Sequence, residues 1–463
     1  MKLDPALIEA TIRRVLAKLP ADGDTTGDGV FADMDSAVAA AANASREYLT
    51  RSMSDRRRYV AAVREVMLRP ENLDYMAVEA VQQTGMGDVA HKYLKNKLAA
   101  ELTPGVEDLV TEAYSGDDGL TTVEYSAFGV IGAITPTTNP TETITCNSIG
   151  MLAAGNAVVF SPHPRARDLS VWQVKQINRA LAAVGAPETL VVTVAEPSIE
   201  NTTAMIAHQD VRMIVATGGP GIVKTVLSSG KKAIGAGAGN PPVVVDDTAD
   251  IDRAAKCIVD GASFDNNLPC TSEKEIVAVD AIADLLKFSM VKHGAYELNA
   301  DERARVEGVI LTDRGTPAVE WMGKPASAIL KAIGVEPPAG VRLLVCEADR
   351  DHPFVVHELM MPVIGLVRAP DVDAAIDLAC ELEHGNRHTA IMHSRDVSHL
   401  TRMAKRIQTT IFVKNGSSFN GIGIGGEGYC TFTIAGPTGE GLTRARNFAR
   451  LRRCVLVGDL NVR

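Results

Sequence analysis

The chain has 463 residues, 46% of them hydrophobic and 22% charged, which suits a soluble globular enzyme of two domains plus accessory elements rather than one core. Its 47 Lys and Arg against 57 Asp and Glu give a net charge of −10, which argues against nucleic acid or an anionic membrane as a general partner. No apolar run approaches the roughly 18 residues of a membrane helix, no secretory signal opens the chain, and the seven scattered cysteines form no C-x-x-C pair, so a cytosolic protein without a disulfide framework or structural zinc is expected.

In chain order, residues 3–19 place Ile8, Ile12, Val15, Leu16 and Leu19 on one helical face, with Glu9, Arg13, Arg14 and Lys18 opposite. Pro20 ends this helix, and an acidic, Gly-rich linker follows to Gly29. Two readings stand side by side: a terminal helix packed on its own domain, or a docking peptide. From Phe31 to about Val110 the pattern is helical, with segments at Met34 to Leu49, Ser54 to Met67 and Asn72 to Gln83.

Strands are expected at Thr121 to Ser126, Gly129 to Ile134, Ala157 to Phe160, Leu190 to Thr193 and Met213 to Ala216. Helical stretches separate the later ones, the alternation of a parallel α/β sheet. Thr217-Gly218-Gly219-Pro220-Gly221 is a Gly-rich turn opening a helix, able to approach a phosphate or to serve only as strand-to-helix geometry. A second glycine cluster, residues 235–239, marks a crossing into another α/β unit with strands at Val243 to Val245, Glu275 to Val279, Val363 to Val367, Thr389 to Met392 and Ile411 to Val413. A last strand is expected at Cys454 to Val457.

The chemistry centres on the polar loop Phe264-Asp265-Asn266-Asn267-Leu268-Pro269-Cys270-Thr271. A thiolate is the strongest nucleophile a side chain offers near neutral pH, and loops on a rigid scaffold carry catalytic groups. A lone cysteine is more often a small buried hydrophobe, so the reading depends on its company.

That company is Thr135-Pro136-Thr137-Thr138-Asn139-Pro140, Val158-Val159-Phe160-Ser161-Pro162, the turn at Gly218, Cys270, and Glu358-Leu359-Met360-Met361-Pro362-Val363, in that order. Together they resemble the aldehyde dehydrogenase superfamily over nearly the whole chain after the linker. The resemblance implies an α/β fold with a Rossmann-type cofactor domain, a second α/β catalytic domain and a small oligomerisation sheet. It implies the boundaries 1–19 for a targeting helix, 20–30 for the linker, 31–240 for the cofactor domain (112–127 joining the oligomerisation hairpin), 241–425 for the catalytic domain and 426–463 for a return segment. It assigns Cys270 as nucleophile and Asn139 as oxyanion donor. Glu358 would hold the nicotinamide ribose, and Thr138, Ser161, Pro162, His163, Gly218 and Gly219 would line the cofactor site; His163 would touch the adenosine or merely cap its loop.

The departures narrow the branch. Anchored on Asn240-Pro241, Gly235 stands where hydrolytic members carry a general-base glutamate, and Ser161-Pro162-His163-Pro164 replaces their adenosine-ribose lysine. Both resemble the coenzyme-A-acylating branch of bacterial microcompartments. The implied reaction takes a short-chain aldehyde, propionaldehyde or acetaldehyde, with NAD (NADP left open) and coenzyme A to an acyl-CoA. The implied partners are a microcompartment shell protein, through residues 1–19, and further copies of the chain as homodimer or homotetramer. Competing readings are a hydrolytic dehydrogenase releasing the free acid and a non-catalytic redox-sensing or scaffold protein. No metal site is expected, since His384 and His388 lack a third ligand.

Overall fold

The computed structural model describes residues 26–460, so the expected helix at residues 1–19 lies outside the described residues. Two parallel sheets organise the chain. In the first, six strands run in the order Val30–Phe31, Val191–Val194, Ala157–Pro162, Val130–Thr135, Val211–Thr217 and Lys232–Ala236. In the second, seven run in the order Ala295–Glu297, Leu343–Glu347, Val363–Ala369, Glu275–Val279, Pro242–Val245, Thr389–His393 and Ile411–Lys414.

Helices on both faces explain why the central strands read as continuous apolar runs rather than as alternations. Every residue of Val130–Thr135, Ala157–Pro162, Pro242–Val245 and Glu275–Val279 is buried. One core surrounds the first sheet, and three more lie on the second.

Lys232–Ala236 corrects the reading of residues 235–239 as purely a crossing: Gly235 pairs with Ala216 at the sheet edge before the chain crosses at Gly237. Other strands that escaped sequence reading are short, such as Val30–Phe31 and Ala295–Glu297, and too brief for a period to register. The helix Val89–Leu102 was not delimited because its buried face carries Lys92, Lys95 and Asn96.

The segment after Gly428 returns to the first half, where Ala435, Ala445 and Phe448 join its core. It ends as Ala449–Val457, longer than expected, pairing antiparallel with Gly119–Ala127, which also pairs with Glu112–Gly116. Among the described residues, no helix is long and apolar enough to cross a membrane, and no cluster of three or more His, Cys, Asp or Glu could hold a metal ion.

Candidate active site

A cavity of about 860 Å³ lies where the carboxyl ends of four adjacent strands of the first sheet meet loops of the second. Crevices at the carboxyl ends of parallel strands are where open α/β sheets bind ligands. The first sheet supplies Thr138 and Asn139, Ser161 to His163, Gly218 and Gly219, and Ala236 to Ala238; the other half supplies Leu268, Cys270, Glu358 and Met360. Every site residue named from the sequence therefore lines one cavity.

The loop that carries Cys270 is strained. Asp265, Asn266 and Asn267 take φ of 49°, 53° and 64°, three left-handed residues in a row just ahead of Cys270. Asp and Asn tolerate this region better than most, yet the conformation survives only where the surroundings enforce it. Here Asp265 Oδ1 accepts from the Asp88 N–H (2.8 Å), and the Asp265 N–H donates to His91 Nδ1 (3.0 Å). Asn266 Nδ2 donates to the Gly87 and Gly323 carbonyls, and Asn267 Nδ2 to those of Ala262 and Glu273. Lys274, buried, donates to Asn267 O (2.8 Å) and Oδ1 (2.7 Å).

Asn139 is the N-cap of the helix Pro140–Ala153 but makes no capping bond with its side chain. Its amide is instead oriented by Lys95, whose ammonium donates to Asn139 Oδ1. An ammonium has no acceptor, so the atom facing it is the carbonyl oxygen; Nδ2 donates one hydrogen to Thr138 Oγ1 (3.2 Å) and keeps a second for the cavity. Lys95 also lies 2.5 Å from Asp265 Oδ2 and 3.0 Å from Glu142 Oε1, and Lys92 lies 3.1 Å from Asp265. These four charged groups are buried. Burial opposes the ionised forms of Asp265 and Lys95, but their partners outweigh it, holding the carboxyl below and the ammonium above their ordinary values.

Burial pushes the Cys270 thiol up to about 12, aided by the Glu358 carboxylate and opposed by Lys274, its own N–H and Lys95. A thiol titrating there is ionised to only about one part in 10⁴ at pH 8. Alkylation of the cofactor-free enzyme by iodoacetamide should therefore climb about tenfold per pH unit from pH 7 to 9. A plateau near pH 8 would show a thiolate already stabilised.

Glu358, with Lys274 Nζ 3.9 Å away, is pushed by burial to about 7. It is the sole carboxylate among the described residues lining the cavity. His163 lines the wall while its Nδ1 accepts from the Arg165 N–H (3.1 Å), so it both caps its loop and faces the cleft. Spacing gives His388 no role, yet it is buried with Nε2 unpartnered. A methyl group on Gly239 would touch both His388 Cγ (3.0 Å) and the Cys270 carbonyl (2.9 Å), and burial lowers this imidazole to about 4, leaving it neutral.

Gly235 does not line the cavity. A Cβ there would stand 2.8 Å from Val223 Cγ1, pointing into the helix Pro220–Leu227. The position thus lacks a base, and one cannot be restored by substitution alone. Gly235→Glu should overpack this contact, lowering stability by about 1–3 kcal/mol without producing free acid; a folded variant with raised hydrolysis would contradict the geometry.

The cleft also fits a dinucleotide. No atom lies within 4 Å of where a Cβ on Gly219 or Gly237 would stand, and Gly219 caps Pro220–Leu227 without a side-chain bond, leaving first-turn N–H groups for a phosphate.

Fold and site together define an α/β protein of two parallel sheets with a cysteine thiol and an asparagine amide on one cleft. The chain belongs to the aldehyde dehydrogenase family, whose profile matches residues 20–304. It is 47% identical over 459 residues, 98% of this chain and 99% of the relative, to the propanal dehydrogenase (CoA-propanoylating) of Citrobacter freundii. It is similar to the solved Rhodopseudomonas palustris propionaldehyde dehydrogenase with bound CoA and an acylated cysteine, at 63% identity and a TM-score of 0.93, covering 95% of this chain and 100% of that one. A propionaldehyde dehydrogenase from the Clostridium phytofermentans fucose utilisation bacterial microcompartment matches at 49% identity and a TM-score of 0.92, covering 94% and 100%.

Proposed function

We propose that this chain oxidises a short-chain aldehyde, propionaldehyde or acetaldehyde, to its acyl-CoA with NAD as hydride acceptor. The observation that carries this reading is the pairing of Cys270 and Asn139 on one cavity whose sole carboxylate, among the described residues, is Glu358. The names of the relatives support it.

Cys270 Sγ attacks the aldehyde carbon, and the carbonyl π pair moves onto oxygen. The thiol proton is released to solvent as the bond forms. Asn139 Nδ2 and the Cys270 N–H face the developing oxyanion, donors fixed before the charge appears. A nicotinamide cofactor held on this cleft would supply the hydride acceptor as the carbonyl re-forms. A thioester remains on Cys270. With no second carboxylate to activate water, the coenzyme A thiol is the acceptor: its sulfur bonds the acyl carbon, the Cys270 sulfur departs, and the coenzyme A thiol proton ends on Cys270.

Gly218, Gly219 and the first turn of Pro220–Leu227 would hold the pyrophosphate, Ser161, Pro162 and His163 the adenosine side, and Thr138 and Glu358 the nicotinamide side. An aldehyde series assayed with NAD and with NADP, with products identified by mass, tests the reading. Acyl-CoA from two- and three-carbon aldehydes is expected; free acid as the sole product would overturn it.

Assembly and targeting are part of the proposal. Ala449–Val457 is an edge strand exposed along its length, with Leu451 62% and Val457 79% exposed, an arrangement soluble proteins normally cover. A second copy, as dimer or dimer of dimers, is the occupant we assign. The apolar stripe of residues 3–19 is assigned to a microcompartment shell protein, placing the enzyme inside that compartment. Deleting residues 1–19 should leave the kcat and the multi-subunit mass by light scattering unchanged while abolishing co-localisation with shells. A monomeric mass would refute the assembly, and retained co-localisation the targeting.

A further inference from the structure

Lys95 has no counterpart among the groups to which the reaction is assigned above, yet it touches both halves of the site. Its ammonium is fully buried and bonds Asn139 Oδ1 on the oxyanion side and Asp265 Oδ2 on the nucleophile loop, with Glu142 Oε1 at 3.0 Å. Residues 139 and 265 come from different sheets' connections, so one cation ties the donor to the loop that carries the thiol.

We propose that Lys95 is a positioning residue for acyl transfer: by holding Asn139 Oδ1 and Asp265 together, it aims Asn139 Nδ2 at the oxyanion and fixes its distance from Cys270. Three features support this. The Thr138 hydroxyl that accepts from Asn139 Nδ2 (3.2 Å) can equally donate to a carbonyl, so it does not fix the amide's sense, and without a cation at Oδ1 the amide can rotate and present its carbonyl to the oxyanion, which repels it. The three left-handed residues before Cys270 need an anchor, and Asp265 is bonded at its N–H and both carboxylate oxygens. The cluster is also balanced, with Lys92 and Lys95 facing Asp265 and Glu142, so the site bears no net buried charge from it. Burial of that many charges is retained at a cost in stability, which is the pattern of a group kept for geometry rather than for folding.

The inference rests on the proposed role of Asn139, and a double-mutant cycle separates the two. Lys95→Met alone leaves a net buried negative charge, and this variant can fail to fold. Lys95→Met with Glu142→Gln restores the balance and is the variant to measure. In the full-length enzyme it should keep the aldehyde KM within about threefold while kcat falls about 10²-fold, the loss typical of an oxyanion donor. In an Asn139→Ala background the same pair of changes should cost less than about threefold, because the residue it positions is gone.

If Asn139→Ala alone leaves kcat within threefold, the oxyanion reading itself fails. If Asn139→Ala is slow but the charge-balanced variant is not, Lys95 does not position it. Equal losses in both backgrounds would also overturn the proposal, since a merely structural lysine weakens the enzyme whether or not Asn139 is present.

Discussion

Cys270→Ala should yield an enzyme that forms no NADH from aldehyde and takes up no acyl label. The substitution removes the atom that bonds the substrate carbon, and no other cysteine can replace it. Cys146 is buried against Thr103 Oγ1 at 3.0 Å, with its thiol pushed up to about 11 by burial, and Cys430 is likewise buried and raised. Cys346 sits inside a core strand and is raised by burial to about 12. Cys257 and Cys380 are half-buried, Cys454 is on the exposed terminal strand, and none of the six lines the cavity. Replacing Cys454 with Ser should therefore leave the rate unchanged. Substantial activity in Cys270→Ala, with loss on replacing another cysteine, would require a different nucleophile.

The second large effect is expected at Asn139. Asn139→Ala removes a donor that is oriented before the reaction begins, and kcat should fall about 10²–10³-fold. The KM for aldehyde should barely move, because the carbonyl oxygen of the bound aldehyde carries little of the charge that the amide stabilises in the transition state. The variant also deprives Lys95 of one acceptor, though Asp265 and Glu142 still surround that ammonium, so the fold should survive. A raised KM at unchanged kcat would make Asn139 a substrate-binding group and not an oxyanion donor.

The parallel α/β plan was legible because its central strands, such as Val243 to Val245 and Glu275 to Val279, are apolar runs between helical stretches. The order of the motifs was enough to bring Asn139, Ser161, Gly218, Cys270 and Glu358 into one cavity. What holds them there was not legible. Periodicity treats a lysine as a solvent-facing residue, so Lys92 and Lys95 hid the helix Val89–Leu102 and their ion pairs with it; their neutralising partners, Glu142 and Asp265, lie far along the chain. The Asp265-Asn266-Asn267 run was the available signal, since those residue types favour left-handed backbone. Gly235 shows the opposite failure: alignment by spacing found the missing base, but the direction of its Cβ, toward Val223, is a property of the strand's pleat that spacing cannot supply. For His388 only burial reveals the unpartnered nitrogen.

On this mechanism the acyl group waits on Cys270 for a thiol and not for water. Its most direct test is a single experiment on the full-length enzyme with aldehyde and excess NAD, first without coenzyme A and then with it. A burst of about one NADH per active site followed by a stall is expected, since the thioester persists, with resumed turnover and acyl-CoA formation once coenzyme A is added. Steady NADH production and free acid at an undiminished rate without coenzyme A would contradict it.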